Sequence, residues 1–288
     1  KISKDVMHAV AILKSGGLVA VPTETVYGLG ADATNKEALM RIFKAKGRPS
    51  NHPLIVHIGD AKELSIWAED IPETAWRLAE AFWPGPLTMI LKRKEGILDA
   101  ITGGVETIAL RVPNHTLTLE LLRSFGSGIA APSANLYGRV SPTSAQDVEE
   151  ELGERVDCIL DGGRCSIGIE STIVDLSSGS AKVLRLGKIT QDEIDKLLGE
   201  RQKKSTKRVK SYSGNKPSHY APRAKVILSS LENLHETLEE WQDRSNSVGV
   251  LAPTVPKNAD TTLTWLSFGE ELDKQAYELY AQLRRADK

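Results

Sequence analysis

The length and rhythm of the apolar runs limit the fold most. Residues 18–21, 54–58, 88–91 and 108–112 are each too short for a helix, and they are separated by stretches whose apolar residues recur at helical spacing. Such runs, bounded by turn residues, predict buried strands. Between them, residues 35–46 predict a helix, with Asn35 as N-cap and Leu39, Ile42 and Phe43 on one face. Trp76, Leu78, Ala79, Phe82 and Trp83 predict a second helix, ended by Pro84-Gly85-Pro86, and residues 145–152 a third. Further strands are expected at 158–160, 172–176 and 182–186. Helices and strands that interleave in this way make an α/β fold.

A chain of 288 residues has room for about two domains. The composition shifts at 201–210, where RQKKSTKRVK holds six basic residues and no acid before the Ser, Gly and Pro of SYSGNKPSHYAP. A division follows into 1–200, a linker at 201–223, and a small second α/β unit at 224–288 with strands at 225–228, 247–251 and 262–266. The closing helix, 271–288, stops without a capping signal, and either end is expected to be trimmed.

Net charge is −1, from 37 Lys and Arg against 38 Asp and Glu, so no global field attracts nucleic acid or an anionic membrane. No apolar run reaches the roughly 18 residues that span a bilayer, and KISKDVMHAV carries no signal-peptide core, which predicts a cytoplasmic protein. Cys158 and Cys165 lack the spacing of a zinc site and are expected to be reduced, buried thiols.

Any ligand must therefore be held by local clusters. Residues 28–33, GLGADA, match the GxGxxA dinucleotide pattern. However, PTETVY separates them from the preceding strand and no acid ends a second strand, so Gly28 and Gly30 are read as a tight turn into the helix. No Walker loop exists. Thr23 and Thr25 fall on one side of the extended segment, opposite Glu24 and Val26; two hydroxyls there suit a small polar ligand or simply cap the turn. In KAKGRPSNHPL, Lys44, Lys46 and Arg48 either complement the helix dipole or, with Asn51 and His52 in a Pro-stiffened loop, hold a polyphosphate. His57, inside LIVHI, is either a satisfied core histidine or, if Thr25 lies beside it, a ligand contact.

Thr107 and Arg111 share one face of the strand TIALR. A cation in so apolar a strand needs an anion, either a substrate carboxylate or the partner of a strand-edge salt bridge. Arg185 in VLRLG poses the same demand. Ser133, Asn135 and Ser141 cluster after a buried strand, and Ser171 opens another. There is no Ser/His/Asp pattern, no HExxH and no carboxylate dyad, so the transferred group needs no protein nucleophile. These features together predict a site that holds a polyphosphate beside a small carboxylate.

PTETVYGLG, KAKGRPSNHPL, Lys46-x-Arg48 with Ser133-x-Asn135, GIESTIVD and HYAP at 219–222 occur in order along nearly the whole chain. They resemble the YrdC-like family, specifically its two-domain threonylcarbamoyl-AMP synthases. The resemblance implies a YrdC-like twisted mixed sheet with flanking helices, plus a smaller Rossmann-like domain cut short at its C-terminus. It implies that L-threonine, bicarbonate and ATP give threonylcarbamoyl-AMP and pyrophosphate. A carbamate made from threonine and CO₂ is then the attacking group, which explains the missing nucleophile. Thr25, His57, Arg111, Ser133 and Ser171 would face threonine. Arg48, His52, Thr107, Ser133, Asn135, Ser141, Arg185 and Tyr220 would face ATP. Lys46 and Arg48 would carry the chemistry, Mg²⁺ would ride on the phosphates, and His219 and Tyr220 would close over the site. A tRNA-modifying threonylcarbamoyl transferase complex would take the product, and membrane contact is not expected. Rival readings are a double-stranded RNA-binding module, to which 201–210 could contribute a weak RNA contact, and a carbamoyl-AMP enzyme of hydrogenase-maturation type.

Overall fold

A computed structural model describes residues 1–199, 220–230, 232–242, 247–257 and 259–288. The basic run at 201–210 and His219 lie outside the described residues.

The elements in chain order are β1 (Ile2–Ser3), α1 (Val6–Lys14), β2 (Val19–Val21), β3 (Gly28–Asp32), α2 (Lys36–Lys46), β4 (Ile55–His57), α3 (Leu64–Trp67), α4 (Glu73–Phe82), β5 (Leu87–Lys92), α5 (Asp99–Thr102), β6 (Thr107–Arg111), α6 (Thr116–Phe125), β7 (Ile129–Ala130), α7 (Ala145–Leu152), β8 (Cys158–Leu160), β9 (Thr172–Asp175), β10 (Lys182–Arg185), α8 (Gln191–Leu198), α9 (Leu234–Gln242), β11 (Gly249–Ala252), β12 (Thr264–Ser267) and α10 (Leu272–Ala286). Ten strands form one mixed sheet in the order β1-β8-β2-β3-β7-β4-β6-β5-β9-β10, and β11 and β12 form a separate parallel pair. The expected α/β class and the two-unit architecture are both present.

Period-two alternation puts helices on both faces. In β2, Val19 and Val21 pack with Val6, Ala9, Val10 and Leu13 of α1 and Leu121 and Leu122 of α6. Ala20, between them, faces the larger core under α2 with Leu39, Ile42 and Phe43. Central strands buried on both faces explain why they read as unbroken apolar runs.

Two sequence expectations fail. Residues 28–32 form a strand, β3, rather than a turn. Its glycines are there because neighbours come close: a Cβ on Gly30 would lie 2.8 Å from Ile129 Cγ2 and 3.0 Å from the Val19 carbonyl oxygen. Residues 225–228 form no strand among the described residues and are exposed, Leu228 at 98%, with Lys225 Nζ 4.0 Å over the Trp241 ring. Helices α1 and α6 were not anticipated, because their apolar residues fall between turn residues too close together to show a long repeat.

Candidate active site

The loop that carries Lys46 and Arg48 is set by the way α2 ends. Asn35 Oδ1 accepts from the Ala38 amide at 3.0 Å at its start. At its end Gly47 sits at φ 64, in the left-handed region, and the Arg48 amide closes onto the Phe43 carbonyl at 2.9 Å. This reversal separates two neighbouring cations. Lys46 is buried, and its Nζ donates to the carbonyl oxygens of Ser133 and Asn135. Arg48 Nη2 donates to the Pro53 carbonyl at 2.9 Å. Burial, and after it the charge of Arg48, push the Lys46 ammonium well below the ordinary lysine range. Burial lowers Arg48 to about 10. Nearby, His52 Nδ1 lies 3.3 Å from the Tyr137 hydroxyl.

A second centre lies on one row across the sheet. His57 of β4 pairs with Arg111 of β6. Leu110 pairs with Met89 of β5, so Thr88 follows opposite Arg111; Thr88 pairs with Ile173 of β9, and Ile173 with Arg185 of β10. Arg111 is buried and held through each of its nitrogens: Nη1 donates to Thr25 Oγ1 at 2.8 Å, Nε to the Gly85 carbonyl at 3.3 Å, and Nη2 is 2.8 Å from Glu24 Oε2. The Glu24 contact is an ion pair without hydrogen-bond alignment, since neither Glu24 oxygen has a hydrogen-bond partner among the described residues. So Arg111 is in an interior strand, and the salt-bridge alternative is met by Glu24 inside the sheet rather than at its edge. His57 is fully buried, and burial followed by the charge of Arg111 lowers it to about 3, so the ring is neutral.

Further along the same row, Ser171 Oγ is 2.8 Å from Thr88 Oγ1. Arg185 donates to the Ser171 carbonyl at 3.0 Å through Nε, to Ser171 Oγ at 3.2 Å through Nη2, and to the Tyr220 hydroxyl at 3.0 Å through Nη1. Ser141 Oγ donates to Glu170 Oε1 at 2.5 Å.

The segment 23–28 joins the two centres. Thr25 reaches Arg111, while Gly28 bridges Ser133, the Ala134 amide donates to the Tyr27 carbonyl at 2.8 Å and the Tyr27 amide to that of Pro142 at 2.9 Å. Of the residues expected at a site, Thr25, His57, Arg111, Ser171, Arg185 and Tyr220 meet on the row side. Lys46, Arg48, Ser133, Asn135 and His52 meet on the loop side. Thr107 is apart, at the other end of β6 opposite Lys92, four residues or roughly 13 Å along the strand from Arg111. Glu24, Tyr137, Glu170 and Tyr280 were missed. Only Glu24 and Glu170 had a local cue, lying inside PTET and GIEST.

Orphaned buried polar atoms mark where ligand atoms are wanted. Among the described residues they include His57 Nδ1, Asn135 Oδ1 and Glu24 Oε1, all in this region. No group of three His, Cys, Asp or Glu among the described residues could hold a metal ion. No helix of the described residues is long and apolar enough to cross a membrane. Both cysteines are free and buried.

The Sua5_yciO_yrdC family model, described as "Telomere recombination", matches residues 11–187, and a model described as "Threonylcarbamoyl-AMP synthase, C-terminal domain" matches 189–288. A threonylcarbamoyl-AMP synthase of Pyrococcus abyssi is 40% identical over 97% of this chain and 84% of its own length. One of Bacillus subtilis is 41% identical over 98% and 84%. The crystal structure of Pyrococcus abyssi Sua5 complexed with L-threonine superposes with a TM-score of 0.92 at 39% identity, covering 98% of this chain and 85% of that one. Escherichia coli YciO, covering 66% of this chain and 92% of its own, gives 0.59 at 27% identity.

Proposed function

This chain belongs to the Sua5_yciO_yrdC family, and we infer that it is a threonylcarbamoyl-AMP synthase, making threonylcarbamoyl-AMP and pyrophosphate from L-threonine, bicarbonate and ATP. The observation that carries this reading is that the segment 23–28 couples two buried cationic centres. The Arg111 centre suits a carboxylate, and the Lys46–Arg48 centre suits phosphates.

On the row side, the two N–H groups of Arg111 not used by Thr25, Gly85 or Glu24 are left for the threonine carboxylate, and His57 and Ser171 line the same level. The neutral His57 ring accepts from, or donates to, threonine without adding charge. Bicarbonate loses hydroxide to give CO₂, and the threonine amine, its ammonium proton lost to solvent, adds that CO₂ and sheds a second proton to the hydroxide, giving a carbamate, water and one net proton. A carbamate oxygen attacks the α-phosphorus, the bond to the bridging oxygen breaks and pyrophosphate leaves, so the protein needs no nucleophile of its own. This adenylyl transfer makes the enzyme a nucleotidyltransferase. Lys46 and Arg48 hold positive charge where the phosphoryl group gains negative charge. His52, Ser133, Asn135, Ser141, Arg185 and Tyr220 face ATP, Thr107 lying too far along β6 to join them, and Ser133, whose carbonyl binds Lys46, stands between the substrates. Mg²⁺ held by the phosphates would further screen their charge.

The division 1–200, 201–223 and 224–288 is supported by the separation of the ten-stranded sheet from the β11–β12 pair. The product is a mixed anhydride that water destroys, so a tRNA-modifying threonylcarbamoyl transferase complex in the cytoplasm must take it promptly. Mass spectrometry of a reaction run with ¹³C-bicarbonate tests the reading. A labelled species containing both threonine and AMP supports it; AMP with no threonine adduct sinks it.

A further inference from the structure

Helix α10, from the second unit, reaches the site through Tyr280. The Tyr280 hydroxyl donates to Glu170 Oε2, while Ser141 donates to Oε1 of the same carboxylate. The Tyr280 ring also stacks on Tyr220, with centroids 5.8 Å apart, and the Tyr220 hydroxyl accepts from Arg185. Thus Tyr280 holds two of the residues assigned above to ATP, Ser141 through Glu170 and Arg185 through Tyr220.

We propose that Tyr280 and Glu170 are positioning residues for the nucleotide half of the site, so that the bond between them sets ATP affinity and leaves threonine affinity alone. This rests on the assignment of Ser141 and Arg185 to ATP. Glu170 is 9% exposed, and a carboxylate so buried is held by donors or not at all. A serine hydroxyl has one proton. With it committed to Glu170, Ser141 turns lone pairs to the ligand and matches a donor, a ribose hydroxyl or the adenine amine, rather than a phosphate oxygen. If the Tyr280 hydroxyl lets go, Glu170 is free to swing and Ser141 loses its fixed geometry, while the ring stack still holds the Tyr220–Arg185 pair. On the threonine side, the contacts of Arg111 go to Thr25, Gly85 and Glu24, none of them in α10, while Ser171 is tied to Arg185 and through it to Tyr220.

Other contacts anchor the helix independently of the Tyr280 hydroxyl. Arg164 lies 3.7 Å over the Tyr277 ring, and Arg284 donates to the Val140 carbonyl at 3.0 Å and pairs with Glu151 at 3.1 Å. Gly168, at φ 86, packs so closely that a Cβ there would be 2.7 Å from the Ala276 carbonyl oxygen. Tyr280→Phe therefore removes one hydrogen bond and keeps both the stack and the docked helix.

The experiment uses the full chain as wild type, Y280F, S141A, R185K and the double variant Y280F/S141A. The ATP KM is taken from pyrophosphate release and the threonine Kd from calorimetry without nucleotide. Y280F should raise the ATP KM about tenfold, with the threonine Kd unchanged, and adding it to S141A should cost little more than S141A alone. A tenfold ATP effect in S141A with none in Y280F overturns the positioning role while leaving the ATP assignment intact. So does an equal shift in both affinities, which marks a general structural loss. If S141A and R185K both leave the ATP KM unchanged, the assignment itself falls, and the inference with it.

Discussion

The Lys46 ammonium, on the last residue of α2, donates to the main-chain carbonyl of Ser133, 87 residues away, inside a pocket that leaves it 2% exposed. Main-chain carbonyls accept from this amine without pairing its charge, and an anionic phosphoryl group beside it would favour the charged form that burial and Arg48 disfavour. Lys46→Met should cut turnover by about 10²-fold or more while leaving the urea midpoint within roughly 1 kcal/mol of wild type, since burying the charge is itself costly. Equal turnover in Lys46→Met would remove Lys46 from the chemistry.

Arg111 and Glu24 form a buried pair, each with its side chain 5% exposed. Breaking a buried pair from one side leaves a lone charge, at a cost of about 3–5 kcal/mol. Arg111→Met should therefore be strongly destabilised and lose threonine binding. Arg111→Met with Glu24→Gln should recover most of the stability and none of the binding. Threonine binding by the double variant, measured by calorimetry, would show that Arg111 is not the carboxylate clamp.

His57 titrates near 3 in the fold, against 6.5 in an open chain. Between those values the unfolded chain holds a proton that the folded one does not. Stability is thus fully present above about pH 6.5 and falls as pH drops toward 3, by up to about 1.4 kcal/mol per pH unit from this group. Denaturant midpoints of wild type and His57→Gln at pH 5 and 7 test it: the variant should lose part of the wild-type slope, and identical slopes would mean that His57 is not buried neutral.

The GLGADA segment shows what sequence could and could not reveal. A glycine repeat before a helix reads as a turn when only neighbours along the chain are in view, whereas its real constraint is the approach of Ile129 and Val19 from adjoining strands. Gly30→Val should accordingly destabilise by about 2 kcal/mol or more, read as a lowered Tm, with any soluble fraction still binding threonine. A Tm equal to wild type would show the position has room.

The cations were the legible part of the site. Arg111 and Arg185 stood out because a guanidinium in an apolar strand demands a partner, and each has one, Glu24 with Thr25 and Ser171 with Tyr220. Lys46, Ser133 and Asn135 were visible as clusters, though the bond that joins them crosses most of the domain. Tyr280 was not visible, because nothing within α10 distinguishes it from a tyrosine on an amphipathic face, and its meaning comes from Glu170, 110 residues earlier. The strands were legible wherever both faces are buried; residues 225–228 have the same composition without the neighbours, and composition alone makes no ladder.

The central claim is that one pocket joins a carbamate made from threonine to AMP, and pyrophosphate release by the full chain with ATP tests it most directly. Release that needs threonine and bicarbonate together, and drops to background when either is left out, is the predicted result. Release at the same rate without threonine, or after bicarbonate and CO₂ are stripped from the buffer, would contradict it.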